Sequence, residues 1–394
     1  MERLPTADAL IAAARDRTGL HALGDTWFLE PLHHLLAGLD DEAKLSPSGR
    51  EALAGQLVGA LSNRLQLREL IRRHPEIEDE KVDVAAFIVG LPRTGSTLLH
   101  RLLGTMPPFT GILWWELQYP FPHPDGRDGG RTGRRAAANE IMQAWLRGAP
   151  ELTSITPIEL DQPDEELLLM DQSFLFSGWE GMHYLPGFSA YVEAADKTPS
   201  YRELVTALKC LQWQAAERRG KRWILKSPGH LSALREVTTL FPEARIIMQH
   251  RDPVETLPSY CSMETTLYGI ASDRVDPVAI GAHWYAKLRR LLESYIRHRD
   301  AIGEQRFIDI QYRELTRDMD GQVRRIMTHL GEVMTPEVEA ALADVVADNA
   351  RDKRPPHQYR ADRFGFTRTD IERDFAFYRE RFGFAAQPVS GAAA

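Results

Sequence analysis

The chain has 394 residues, of which 43% are hydrophobic, so it is long enough for one large domain or two to three small ones, each with its own core. Its net charge of −8 at pH 7 speaks against general nucleic-acid binding while allowing a local basic pocket. Two cysteines, Cys210 and Cys261, form neither a disulfide framework nor a Cys/His metal spacing, so no metal is expected and the compartment reads as reducing and cytoplasmic.

The first twenty residues are interrupted by charges and lack a signal-peptide core, and no apolar run approaches the ~18–20 residues that span a bilayer. Contact with a membrane surface is left open, and oligomeric state is not legible. Residues 6–80 read as helical. Leu53, Leu57, Leu61 and Leu65 recur every four residues, Val58 and Leu67 widen the stripe, and Ser48 and Glu51 have capping-box spacing. Residues 1–80 are therefore expected to form a helical segment packed on a core, 81–384 the main domain, and 385–394 a disordered tail.

Four short apolar runs follow as strands: Ala85–Val89, Arg222–Leu225, Ala244–Met248 and Arg306–Ile310. Strands alternating with helical patterns predict an α/β fold, a parallel sheet flanked by helices. Some 130 residues separate the first two strands, too many for a simple crossover. This insert holds "WWELQYPFPHPDGRDGGRTGRR", read as an exposed loop. The arginines Arg127 to Arg135 within it are suited to an acidic acceptor or a lipid head group. It also holds "DQPDEELLLMDQSFL", read as a helix with an acidic first turn that suits the helix dipole. Inserts of this kind build substrate sites or lids over α/β cores.

The first strand runs into Gly90-Leu91-Pro92-Arg93-Thr94-Gly95-Ser96-Thr97, the G-x-x-x-x-G skeleton of a phosphate loop with Ser96 where a lysine is usual. The glycines let backbone N–H groups surround an anion, and the helix starting near Ser96 adds its positive N-terminus. The missing lysine serves β- and γ-phosphates, so a ligand with a single 5′ phosphate needs less. Arg93 can supply the cation, and Ser96 and Thr97 can donate hydrogen bonds directly. Ligands of open α/β sheets gather beyond the carboxyl ends of strands. Lys226 and Ser227 end one strand and Arg251 the next, so Arg93, Lys226 and Arg251 are expected on one rim with Ser259, eight residues past Arg251. Ordinary surface cations are the plain alternative.

At these residues the sequence resembles the sulfotransferases that use 3′-phosphoadenosine 5′-phosphosulfate, the group of bacterial and tyrosylprotein sulfotransferases. "GLPRTGSTLLHRLL" matches the 5′-phosphosulfate loop, and "RIIMQHRDPVETLPSYCS" the 3′-phosphate motif with its arginine and serine. "WILKSPGHLSAL" matches the strand end that places a lysine near the transferred group. "FIDIQYRELTRDMDGQVRRIMTHLG" resembles the fourth strand and helix, with Tyr312 at the aromatic position. The likeness spans about residues 85–384 and implies a P-loop-like α/β domain.

The resemblance also implies roles. Thr94, Gly95, Ser96 and Thr97 join Arg93 around the donor's 5′ end. Arg251 and Ser259 bind its 3′ phosphate, Lys226 meets charge on the bridging oxygen, and Ser227 orients Lys226. Relatives carry a glutamate base about two dozen residues past the loop arginine, and Glu116 in "ILWWELQYP" matches it. Trp114 and Trp115 beside it favour a raised pKa, while a glutamate merely flanked by core tryptophans is the alternative. The histidine base of the cytosolic branch is absent in its Thr-His-Leu-Pro context, and His230 is the nearest analogue. A basic stretch near the C-terminus, with Lys353, Arg354, His357 and Tyr359, matches a donor-closing loop and equally a solvated charge run. Aromatic residues around 109–121 and 174–191 suggest an apolar pocket for a phenol, sterol or lipid alcohol. Two rival readings share the loop: a small-molecule kinase, which needs Mg²⁺ ligands, and a non-catalytic nucleotide-binding protein, which needs neither Glu116 nor Lys226.

Overall fold

The computed structural model describes residues 3–148, 158–351 and 360–384. Five parallel strands form one sheet: β1 (Val84–Gly90), β2 (Phe109–Thr110), β3 (Arg222–Lys226), β4 (Arg245–His250) and β5 (Phe307–Gln311), in the order β2-β3-β1-β4-β5. Four coincide with the expected strands to within a residue or two. The fifth, β2, has two residues and pairs with the start of β3, too short to leave a periodic signal.

Side chains alternate across the sheet and both faces are covered. Phe87, Val89, Trp223, Leu225, Ile246 and Met248 join one apolar cluster; Ala86, Ile88, Ile224, Ile247, Ile308 and Ile310 join the other. This is why the strands read as continuous apolar runs. The helices Thr198–Gln214, Pro253–Ala271 and Pro277–Ile302 contribute to the first face, Ser96–Gly104 and Met319–Leu330 to the second.

The N-terminal helices Ala7–Thr18, Leu29–Asp41 and Pro47–Arg73 bear out the helical reading of that region. Leu53, Leu57, Leu61 and Leu65 are all buried, in a third cluster that includes Phe174, Trp179 and Phe188. Those three insert aromatics thus pack under the N-terminal helices rather than around a ligand. The long helix is capped by Ser46, whose Oγ accepts from Gly49 N at 3.0 Å, instead of by the Ser48/Glu51 pair. Pro47 at the first helical position fixes the start two residues earlier.

The insert departs from expectation twice. Within the supposed exposed loop, Trp114–Gln118 and Gly130–Gly148 are helical. Trp114 and Trp115 are buried, and Arg134 is buried as well, donating to Tyr119 O (2.9 Å) and Pro120 O (3.0 Å). In "DQPDEELLLM" the helix begins only at Leu167, so Glu165 and Glu166 precede it and point elsewhere. Residues 352–359 and 385–394, which include Lys353, Arg354, His357, Tyr359 and the expected tail, lie outside the described residues.

Candidate active site

The loop after β1 turns on three residues with positive φ. Gly90 (153°) lets the chain pass β4: a Cβ there would lie 2.5 Å from Gln249 O. Gly95 (83°) lets the Tyr312 ring close in: a Cβ would lie 2.8 Å from Tyr312 Cδ2 and Cε2. Arg93 takes the left-handed region at 69° without being glycine, a conformation with a steric cost that clusters at functional sites. Gln249, at the end of β4, donates from Nε2 to Thr94 O at 2.8 Å and pins the loop from beneath.

The loop opens into a cavity of about 1790 Å³. Arg93, Gly95, Ser96, Thr97, Ser227, Arg251, Ser259 and Tyr312 all line it, so most of the expected rim converges. Arg93 Nε donates to Ser259 Oγ at 3.3 Å, and Arg251 Nη1 to Arg93 O at 3.1 Å. The Arg251 guanidinium lies 4.4 Å from the Tyr312 ring centroid, and its Nε donates to Glu255 Oε2 at 2.8 Å. Tyr312 and Glu255 thus orient Arg251 from two sides.

Four expected residues have different surroundings from those foreseen. Thr94 is fully buried and its hydroxyl donates to Leu91 O at 2.9 Å, so it braces the loop and only its backbone remains for an anion. Ser227 Oγ accepts from Gly229 N at 3.0 Å, capping the short 3-10 turn Pro228–Ser232 rather than orienting Lys226. His230 is fully buried between Tyr201 and Glu166: Tyr201 Oη is 2.6 Å from Nδ1, and Nε2 meets Glu166 Oε1. It is not among the residues that line the cavity.

Glu116 is the fourth. Its carboxylate is 4% exposed, accepts from Leu113 N at 3.0 Å and pairs with Arg218 at 2.6 Å. It closes a helix start and a buried ion pair and is not among the residues that line the cavity.

The residue the sequence did not expose is Glu165. It lines the cavity and pairs with Lys226, whose Nζ also donates to Thr97 Oγ1 at 3.3 Å. Burial pushes the Glu165 carboxyl above its ordinary pKa of 4.5, against the pull of Lys226. Glu166, next in sequence, accepts from Lys226 N at 3.0 Å. Burial pushes it upward too, but the His230 charge and hydrogen bond prevail and leave it below the ordinary value. One acidic pair thus splits its work: Glu166 anchors the end of β3 and Glu165 faces the cavity with a more basic carboxylate. The available signal was two adjacent carboxylates opposite a strand-end lysine and a histidine that each needed a partner.

No group of three or more His, Cys, Asp or Glu among the described residues is arranged to hold a metal ion, and no described helix is long and apolar enough to cross a membrane.

This site and fold are those of an enzyme that transfers a sulfuryl group, and the comparisons agree. The sulfotransferase family profile matches residues 85–336, and the chain belongs to that family. A curated relative, the omega-hydroxy-beta-dihydromenaquinone-9 sulfotransferase Stf3 of Mycobacterium bovis, is 28% identical over 277 residues, 66% of this chain and 67% of its own. Among solved structures, sulfotransferase STF1 of Mycobacterium tuberculosis H37Rv superposes with a TM-score of 0.83 at 28% identity, covering 96% of this chain and 100% of its own. Sulfotransferase STF9 of Mycobacterium avium does so at 0.87 and 26% identity, covering 98% of each.

Proposed function

We propose that the protein moves a sulfuryl group from 3′-phosphoadenosine 5′-phosphosulfate to a hydroxyl of an apolar, lipid-like or phenolic acceptor. The observation that carries this reading is the Glu165–Lys226–Thr97 cluster: a proton acceptor, a cation and a loop hydroxyl meet at the wall of the cavity that Arg93 and Arg251 also line.

The residues fit the donor. Gly90 and Gly95 let the loop curl tightly against Gln249 and Tyr312, and Ser96 and Thr97 stand at the helix start, where backbone amides suit a 5′ phosphate. Arg251 and Ser259 flank Arg93 and suit a second, 3′ phosphate. When bound, the donor supplies an electrophilic sulfur and a phosphate leaving group. Glu165 takes the proton of the acceptor hydroxyl as its oxygen bonds to sulfur. The bond from sulfur to the bridging oxygen breaks with its electron pair on the phosphate, where Lys226 and Arg93 are placed to meet the charge. An acidic base would hold too little proton affinity; the raised pKa of Glu165 suits the role.

An apolar acceptor is supported by Trp114, Leu117, Leu167, Leu168, Met182 and Met263 around the cavity. The name of the mycobacterial relative, which acts on a hydroxylated menaquinone, points the same way. The chain's net charge of −8 speaks against nucleic acid as acceptor. A thermal-shift series with 3′,5′-phosphoadenosine, AMP, and ATP with Mg²⁺ tests the donor. A ligand at ~100 times its dissociation constant adds about 2.7 kcal/mol. The largest shift is expected with 3′,5′-phosphoadenosine; a shift confined to ATP with Mg²⁺ would hand the site to a kinase.

A further inference from the structure

The acceptor cavity contains charge that sulfuryl transfer does not use. Glu180, Glu264 and Lys287 line it together, on the helices Gly178–Met182, Pro253–Ala271 and Pro277–Ile302. All three are buried, with Glu180 and Glu264 each 1% exposed. Lys287 Nζ holds Glu180 through Oε1 and donates to Ser189 Oγ at 2.8 Å. Glu180 Oε2 and Glu264 Oε2 are buried and have no hydrogen-bond partner among the described residues. Two buried carboxyl oxygens without partners in one cavity are costly in isolation, and such groups call for a ligand that satisfies them.

The two oxygens differ in character. Lys287 pairs with Glu180 through Oε1, leaving Oε2 as an acceptor. Burial pushes Glu264 well above the ordinary carboxyl range, more than the Tyr260 and Tyr268 hydroxyls draw it down, and the charge on Glu180 adds to the effect. Glu264 therefore holds its proton more tightly than an ordinary carboxyl, and in its protonated form it can donate. One donor and one acceptor, in a cavity that Met182, Leu267, Leu288 and Leu291 also line, match a hydroxyl, which accepts one hydrogen bond and gives one. A carboxylate would meet like charge at Glu180.

Resting on the sulfotransferase reading, we propose that Glu180, Glu264 and Lys287 form a second recognition site for the acceptor, which is an apolar alcohol bearing a second hydroxyl that docks between the two glutamates. The helix Pro253–Ala271 links the two ends of this arrangement. Ser259 and Met263 reach Arg93, while Tyr260 and Glu264, one position further on, line the cavity with Trp284.

The test is calorimetric binding of straight-chain α,ω-diols of graded length, and of the matching mono-alcohols, to the full chain saturated with 3′,5′-phosphoadenosine. At the best-fitting length the diol is expected to bind about tenfold or more tightly than the mono-alcohol, the worth of one or two buried hydrogen bonds. Glu264→Leu should erase that ratio and Glu264→Gln, which keeps a donor, should retain most of it. Equal binding of diol and mono-alcohol by the wild-type chain at every length overturns the proposal without needing either variant. An undiminished ratio in Glu264→Leu overturns it too, and so does tighter binding of an ω-amino alcohol than of the diol. Failure to bind 3′,5′-phosphoadenosine strikes instead at the sulfotransferase donor reading, and the diol comparison run without nucleotide then still decides the second site.

Discussion

Glu165 closes an ion pair onto Lys226 from 61 residues earlier in the chain. The insert before β3 thereby supplies the cavity with a carboxylate at the strand end that carries its cation. If Glu165 is the base, Glu165→Gln should lower turnover on an aliphatic alcohol by ~10²–10⁴, with 3′,5′-phosphoadenosine affinity nearly unchanged. Glu116→Ala should do the opposite. It leaves Arg218 buried without its partner, which costs on the order of 3–5 kcal/mol of stability, while turnover per folded molecule stays within a few-fold. Equal turnover losses in the two variants, measured beside urea midpoints, would defeat this assignment.

The pH profile gives an independent reading of the same residue. Glu165 must be ionised to accept a proton, and burial raises its pKa above 4.5. kcat/KM should therefore rise with pH through a pKa above the usual glutamate range, then level off. Glu165→Gln should lose that acidic limb while keeping its small residual rate. A limb that persists unchanged in the variant belongs to another group.

Much of this site was legible because phosphate recognition concentrates its signals. A strand, two glycines, hydroxyls and an arginine must be contiguous to curl around an anion, so Gly90 to Thr97 announced themselves. Arg251 and Ser259 were placed by a strand end and a spacing. The Glu165–Lys226 pair was not legible, because a carboxylate beside the cavity answers to three-dimensional neighbours. Glu116 has the right distance from Arg93 in sequence, yet Arg218, more than a hundred residues on, claims it. Glu165 and Glu166 looked like a helix's acidic first turn because dipole complementarity and partnership with Lys226 and His230 leave the same local pattern. The surroundings of His230 were hidden for a related reason. A histidine after a strand-end lysine fits a catalytic rim, but the 3-10 turn Pro228–Ser232 directs it inward to Tyr201.

Arg251 tests recognition of the 3′ phosphate. Its guanidinium is held by Glu255 and Tyr312 beside Ser259 and the Arg93 backbone. A hydrogen bond to a charged group is worth ~1.5–3 kcal/mol. Arg251→Ala should weaken 3′,5′-phosphoadenosine by about tenfold to a hundredfold and AMP by no more than a few-fold. Parallel losses for both nucleotides would mean that Arg251 serves the loop and not the 3′ phosphate.

The last prediction concerns the ground on which the donor loop stands. His100 lies on the helix Ser96–Gly104 that begins in the loop, and its Nε2 is 3.1 Å from Ile224 O on β3. Nδ1 has no partner among the described residues, and burial lowers the ring's pKa from 6.5 to about 4. The unfolded chain therefore takes up a proton between pH 6.5 and about 4 that the folded chain refuses. The stability tied to neutral His100 is complete above 6.5 and is lost as the pH falls towards 4, by roughly 3 kcal/mol. His183, lowered to about 4 by burial as well, adds a limb of the same sign. His100→Gln keeps a side-chain donor within reach of Ile224 and cannot titrate. Its stability at neutral pH is expected to be lower, and its fall between about pH 7 and about pH 4 should be shallower than that of the parent by up to the same roughly 3 kcal/mol. Urea midpoints at the two pH values check this directly. Parallel losses in parent and variant would show that His100 gains its proton in the folded state as readily as in the unfolded one, and that acid loosens the loop through other groups.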